Sequence, residues 1–251
     1  MSKIIVSQPW GGLGDNLQFS TIPRLCYENG ISFGLGRRNQ HRNQEIHDLV
    51  WKPNPYVTLS NEDHVGADHM APPPQSDSKN IIGWNETKYG FEGKNFYPDI
   101  HYDCKIKTGF LDRAVVSVGI ISSWNQYTVE FIKKTILGLL KEDPILIKTK
   151  YDNDFNLGYL EDLKLDEYFI KDVFEYCDII RSCRSHYSLM SGNHVLAAGI
   201  KYKYQTDTKL YCLYPNKNFE HFDVKKKKSE WLFPNVNYIL EAEGIKRYSP
   251  K

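Results

Sequence analysis

Two short segments carry residues whose types and spacing could do chemistry. The first is Gly11-Gly12-Leu13-Gly14-Asp15, which follows the apolar run Lys3 to Ser7. Glycine has no Cβ, so such a turn lets the backbone approach a ligand closely and tolerates positive φ. Amides at the start of a following helix face an anion. Asp15, at that turn, is placed to take a proton from a bound hydroxyl, given enough burial to bring its pKa into working range. The same carboxylate also suits a helix N-cap, and the two roles coexist. The second segment is Ser191-Gly192-Asn193-His194, read as a small polar turn between a strand and a small-residue helix. It suits a diphosphate: the helix end and the Ser191 hydroxyl donate hydrogen bonds, and His194 adds a proton or a further bond. The plainer alternative for His194 is a satisfied histidine at a helix start.

The elements that must hold these segments read as α/β. Lys3 to Ser7 predicts a buried strand, and Asp15 to Asn29 a helix in which Pro23 is a local conflict that kinks it. Ile31 to Leu35 predicts a second strand, Asn43 to Trp51 a helix, and Tyr56 to Leu59 a short strand. Ser60 to Lys79, with Pro72-Pro73-Pro74, reads as a long loop, and Asn80 to Asp103 as aromatic and irregular. A second series opens with the strand Ala114 to Ile120 and the polar turn Ser122-Ser123-Trp124-Asn125. It continues with an amphipathic helix over Thr128 to Lys141, a strand over Pro144 to Lys148 and a helix over Asp172 to Arg184. The strand Ser185 to Met190, a helix from Val195, strands over Lys201 to Gln205 and Leu210 to Tyr214, and a closing helix over Asn235 to Glu243 complete it. Strand, turn and helix thus recur in two halves.

Composition narrows the classes. The 251 residues hold 32 Lys and Arg against 31 Asp and Glu, a formal charge of +1. That excludes a globally basic nucleic-acid binder and a disordered polyelectrolyte, though not a local basic cleft. No run approaches the roughly 20 apolar residues that span a bilayer. Met1 to Ser7 turns polar at once, so no signal peptide is expected. Five cysteines without a CxxC pair argue against a disulfide scaffold or zinc ribbon, and reduced thiols imply a cytoplasmic protein.

Together the two turns resemble GT-B glycosyltransferases, most nearly the heptosyltransferase-like family. That family opens with a strand and a G-x-L-G-D turn, here Gly12-Leu13-Gly14-Asp15, with a proline further along its first helix, here Pro23. Its second lobe has an S-G-x-x-H-x-A-A type segment, matched by Ser191 to Ala198. The first turn is also partly similar to that of α-1,2-fucosyltransferases, where an asparagine stands in place of Asp15. The resemblance implies two Rossmann-like lobes with a cleft between them, expected at residues 1–110 (acceptor side) and 111–251 (nucleotide-sugar side). It implies sugar transfer from a nucleotide-diphosphate sugar to an acceptor hydroxyl, inverting, with no cofactor and no metal. Asp15 would be the general base. Gly12, Gly14, Ser122, Ser123, Ser191, Gly192, Asn193 and His194 would hold the donor, and Lys148 or Lys150 would neutralise the leaving diphosphate.

Other constellations compete. Gly12 and Gly14 begin a dinucleotide fingerprint, but Leu17 stands where its last glycine belongs, and Arg37 and Arg38 would suit a 2′-phosphate; this is the NADP-dependent oxidoreductase alternative. A non-catalytic nucleotide- or sugar-binding module is another. Asp152-Asn153-Asp154 has the D-x-D form of a metal-binding donor site, against a plain solvated turn. Asp63-His64 and Asp68-His69 lie in the long loop without regular ligand spacing. The run Lys225 to Lys228 and Arg37, Arg38 and Arg42 offer phosphate contacts, and Trp10, Trp84 and Trp124 offer stacking faces. The acceptor is therefore expected to be a glycan or a hydroxylated DNA base.

Overall fold

The computed structural model describes residues 3–62, 80–119, 127–150, 157–214, 232–240 and 247–248. The chain divides into two compact units, Met1–Tyr102 with Phe222–Phe233 and Asp103–His221 with Pro234–Lys251.

In the first unit, β1 (Lys3–Val6) pairs in parallel with β2 (Ser32–Leu35), and Leu35 bridges to Leu59. That bridge is what remains of the strand expected over Tyr56 to Leu59. The helix expected over Asp15 to Asn29 is two helices, α1 (Leu13–Leu17) and α2 (Ile22–Glu28). Pro23 stands in the first turn of α2, where its missing N–H costs nothing, so it starts a helix and does not kink one. Helix α3 (Gln44–Val50) is capped by Asn43, whose Oδ1 accepts from the Ile46 N–H at 3.1 Å. Helix α4 (Ile81–Lys88) lies in the stretch read as irregular; Asn80 caps it, accepting from the amides of Ile82 and Gly83. It is buried over Ile81 to Glu86, and such a helix has no polar face for a pattern to reveal.

The second unit is built on a seven-stranded sheet of order β5-β4-β3-β6-β7-β8-β9. Its strands are β3 (Ala114–Ser117), β4 (Pro144–Lys148), β5 (Asp166–Phe169), β6 (Ser185–Leu189), β7 (Lys209–Tyr214), β8 (Val236–Leu240) and β9 (Arg247–Tyr248). All neighbours are parallel except β8 and β9. The chain runs outward from β3 through β4 to β5, then returns to the other side of β3 with β6. This reversal between β3 and β6 is a topological switch point, where open parallel sheets bind ligands at their carboxyl ends. Helices α5 (Val129–Leu137), α6 (Val173–Ser182) and α7 (Gly192–Tyr204) make the crossovers, opened by Thr128, Asp172 and Ser191 as N-caps. Val116, Leu146, Tyr187, Tyr211, Leu213 and Ile239 share one core cluster with Phe131, Ile132 and Ile136 of α5. Within it the rings of Tyr187 and Tyr211 stack at 4.5 Å.

Two expectations are corrected here, and one element is added. Lys201 to Gln205 is not a strand: α7 runs to Tyr204. Asn235 to Glu243 is not a closing helix: Val236–Leu240 is a strand, consistent with its β-branched and aromatic residues. Strand β5 went unread because an exposed edge strand of sequence Asp-Glu-Tyr-Phe has no apolar run. All five cysteines are free and buried, Cys26 in the first unit and Cys104, Cys177, Cys183 and Cys212 in the second. Among the described residues no helix is long and apolar enough to cross a membrane.

Candidate active site

In the first unit, the chain leaves β1, turns through Gly11 and Gly12, and enters α1 with Asp15 at the third helical position. The Gly12 N–H donates to Asp15 Oδ2 at 3.0 Å. Neither glycine is needed for an unusual backbone angle: Gly12 has φ −68°, and the positive-φ glycines among the described residues are Gly30, Gly90 and Gly93. Both are needed for space. A Cβ on Gly12 would lie 2.4 Å from Asp15 Oδ2, and one on Gly11 would lie 2.6 Å from the Arg42 backbone nitrogen. That nitrogen donates to the Gly11 carbonyl at 2.7 Å. The glycines expected to admit a ligand therefore first admit a carboxylate and a neighbouring loop. Gly14 is buried within α1, its carbonyl accepting from the Gln18 amide at 3.1 Å.

The Asp15 carboxylate is half-buried, and burial raises its pKa above the ordinary 3.8, partly offset by the Gly12 N–H and the charge of Arg42. A carboxylate held partly out of water, with a fixed donor on one oxygen, can accept a proton from a hydroxyl brought to the other. Buried polar side chains surround this turn. Gln8, fully buried, donates to the Gln40 carbonyl at 2.5 Å and accepts from the Trp10 N–H at 2.9 Å. Asn16, fully buried, bonds to Gly12, Gln40, Asn39 and Trp51. Sequence reasoning missed both, because an Asn or Gln beside a turn gives no sign of burial. Arg37 and Arg38 follow β2 and are exposed.

In the second unit, Ser117 at the carboxyl end of β3 accepts from Asn193 Nδ2 at 3.0 Å, joining the two strands that flank the switch point through the start of α7. The turn expected over Ser191 to His194 is instead the N-cap and first turn of α7. Ser191 Oγ accepts from the Asn193 N–H at 3.3 Å and donates to the Leu189 carbonyl at 3.3 Å. His194 Nδ1 lies 3.0 Å from the Ser191 amide nitrogen, and its side chain is 2 % exposed. The ring thus closes the helix start, as a satisfied helix-start histidine does. Tyr127 was not foreseen: its hydroxyl accepts from the Met190 N–H at 2.8 Å and donates to the Leu213 carbonyl at 3.2 Å, pinning the loop before α7. Ser188, aligned with Ser117, is buried with no hydrogen-bond partner for its hydroxyl among the described residues.

Lys148 ends β4 on the same carboxyl edge, and its ammonium is paired with Glu167 Oε1 at 2.7 Å. It reaches a phosphate only by exchanging that partner. Lys150 is exposed. Ser122 and Ser123 lie outside the described residues, as do Asp152 to Asp154, Asp63-His64, Asp68-His69 and Lys225 to Lys228. Among the described residues no group of three or more His, Cys, Asp or Glu side chains is placed to hold a metal ion.

The overall arrangement of strands and helices matches solved structures. The fold is shared with glycosyltransferases. The dodecameric iron-containing glycosyltransferase TibC from enterotoxigenic E. coli H10407 matches over 84 % of this chain, with TM-score 0.54 and 14 % identity. E. coli ADP-heptose LPS heptosyltransferase II matches over 95 % of this chain and 90 % of its own, with TM-score 0.59 and 9 % identity. The glycosyl transferase family 9 protein from Veillonella parvula DSM 2008 matches over 96 % and 86 %, with TM-score 0.60 and 10 % identity. The chain spans 57 % of the length of TibC. No family model and no curated protein matches the sequence. At these identities the likeness is one of fold, and function has to be argued from the residues.

Proposed function

We propose that this protein transfers a sugar from a nucleotide-diphosphate sugar to an acceptor hydroxyl. The observation that carries the reading is Asp15: a half-buried acid with raised pKa in the first turn of α1, in a chain that shares its fold with heptosyltransferases. Asp15 takes the acceptor proton as the hydroxyl attacks the anomeric carbon, and the nucleotide diphosphate departs from the opposite face with inversion. The donor is a substrate, and the proposed reaction uses no cofactor and no metal. The acceptor is assigned to the first unit and the donor to the second, close to the expected division at 1–110 and 111–251 save that residues 103–110 fall in the second unit and Phe222–Phe233 in the first.

The second unit supplies the diphosphate site of this proposal. The start of α7, from Ser191 to His194, lies at the switch point and presents the positive end of the helix to an anion, the Ser191 and Asn193 N–H groups being engaged within the cap itself. Lys148 adds positive charge once released from Glu167, and Ser122 and Ser123 are assigned to the turn after β3 from the resemblance alone. His194 is assigned a supporting part, because its ring is held on Ser191. Among the acceptors left open by the sequence, we propose a glycan, in keeping with the lipopolysaccharide enzyme of like fold.

Thermal melting with ADP-heptose, other nucleotide sugars, free nucleotides and NADP(H), each with and without chelator, tests the donor half. A ligand at about a hundred times its Kd adds roughly 2.7 kcal/mol, a readily measured shift. Stabilisation by a nucleotide-sugar class that survives chelation is the expected result. Stabilisation only with added divalent metal would move the site to Asp152 and Asp154. Stabilisation by NADP(H) alone would replace the reading with the Arg37 and Arg38 oxidoreductase. Ligand stabilisation without any turnover would leave a binding module.

A further inference from the structure

We propose that Asn16 is a positioning residue for Asp15, holding Gly12 in the backbone conformation in which the carboxylate stays half-buried. The proposal rests on the reading of Asp15 as the base. Asn16 follows Asp15 in the chain and is fully buried. A buried side-chain amide has two protons to give and two lone pairs to fill, and each left unmatched is costly. Here all are matched. Nδ2 donates to the Gly12 carbonyl at 2.9 Å and to the Gln40 carbonyl at 3.3 Å. Oδ1 accepts from Trp51 Nε1 at 2.7 Å and from Asn39 Nδ2 at 3.4 Å.

The orientation of this amide is forced. An indole N–H only donates, so the atom facing Trp51 must be the oxygen, which leaves the nitrogen for the two carbonyls. The partners come from three places: the turn before α1, the loop after β2, and the residue that caps the end of α3. Two of them are themselves held by Gln8, whose backbone N–H donates to Asn39 Oδ1 at 3.1 Å and whose Nε2 donates to the Gln40 carbonyl.

Gly12 is the common element. Its carbonyl is held by Asn16 Nδ2 at 2.9 Å and by the Asn16 backbone N–H at 3.1 Å, and its N–H, on the preceding peptide, donates to Asp15 Oδ2. Rotation of the Gly12 residue would loosen both. By holding the peptide after Gly12, the Asn16 side chain restrains the Gly12 dihedrals, and through them where the Gly12 N–H points and which Asp15 oxygen is occupied and which is offered. An apolar residue of similar volume would satisfy burial alone without these obligations, and a partly satisfied polar network is worse than none. The full set of bonds is what a requirement for one orientation would demand.

The test follows two signals of isotope-labelled full-length protein through the acidic range by NMR: the Gly12 amide proton and the Asp15 carboxyl carbon. In the native chain the Gly12 amide titrates with Asp15, at a midpoint above the ordinary carboxylate value. In Asn16→Leu, which keeps the volume, the amplitude at Gly12 is expected to fall by about half or more as the shared geometry is lost. Trp51→Phe removes the proton given to Oδ1 and should move both signals the same way by less. Folded variants with native amplitude and midpoint overturn the proposal, even if their melting temperature has dropped, since that is what a purely structural role produces. If Asn16→Leu does not fold, Trp51→Phe decides on the same criterion. The titration needs no substrate, so failure of the base reading, seen as full turnover in Asp15→Asn, is told apart from failure of this one.

Discussion

The starts of α1 and α7 use the same device for different ends. In each, the side chain at the third helical position reaches back to the amide that precedes the helix: Asp15 to Gly12 and His194 to Ser191, both at 3.0 Å. At α7 the box is closed from both sides, because Ser191 also caps Asn193, and the ring is sealed from water. At α1 the capping position is glycine, so the carboxylate alone closes the turn and keeps an exposed portion. A residue that only caps can be buried completely. A residue that caps with one oxygen and reacts with the other cannot.

That contrast can be broken, most severely by removing the base. Asp15→Asn keeps an acceptor for the Gly12 N–H, so it should melt within about 1 kcal/mol of the native protein while transfer falls roughly 10²–10⁴-fold. Native turnover in a steady-state assay would show that Asp15 only caps. Gly11→Ala probes the space behind the turn. Its Cβ meets backbone at 2.6 Å, and urea unfolding should show a loss of about 1–3 kcal/mol. His194→Ala should cost about 1–2 kcal/mol through loss of the cap, an effect on stability that Asp15→Asn lacks.

The remaining expected effects are in pH. His186, on β6, is fully buried with Nε2 2.8 Å from the Tyr176 hydroxyl. Burial, with a contribution from His194, pushes its pKa from 6.5 down to about 3. The unfolded chain therefore binds the proton more readily. Stability is full above about pH 6.5 and drains away as pH falls toward 3. Melting curves taken at descending pH should fall accordingly, and His186→Gln should flatten the decline. Asp15 sharpens the other side: with its pKa raised, the acid limb of the rate profile should lie above the usual carboxylate range. Asp15→Asn should abolish that limb.

The sequence disclosed the parts whose local chemistry and position agree. The apolar runs at β3, β4 and β6, the helix starts near Thr128 and Asp172, and the acid after Gly14 are legible because each is determined by its near neighbours. Elements decided by distant packing were not. Helix α4 is buried along most of its length, and β5 is mostly exposed at the sheet edge, so neither shows the one-sided pattern that marks a half-buried element. The buried amides of Gln8 and Asn16 and the hydroxyl of Tyr127 find most of their partners in residues 23 to 86 positions away along the chain, as with Asn39 for Asn16 and Leu213 for Tyr127. The glycines of the first turn were identified as necessary, but for close approach to a ligand and tolerance of positive φ, where the structure shows crowding by Asp15 and Arg42.

The burial of every cysteine turns the thiols into clocks. A reagent that alkylates thiols reaches Cys26 only when the first unit opens, and Cys104, Cys177, Cys183 or Cys212 only when the second does. Peptide-resolved labelling over time therefore reads the opening free energy of each unit separately, in the native chain and without any introduced probe. A nucleotide sugar that protects one set of thiols and not the other would reveal which unit it holds shut.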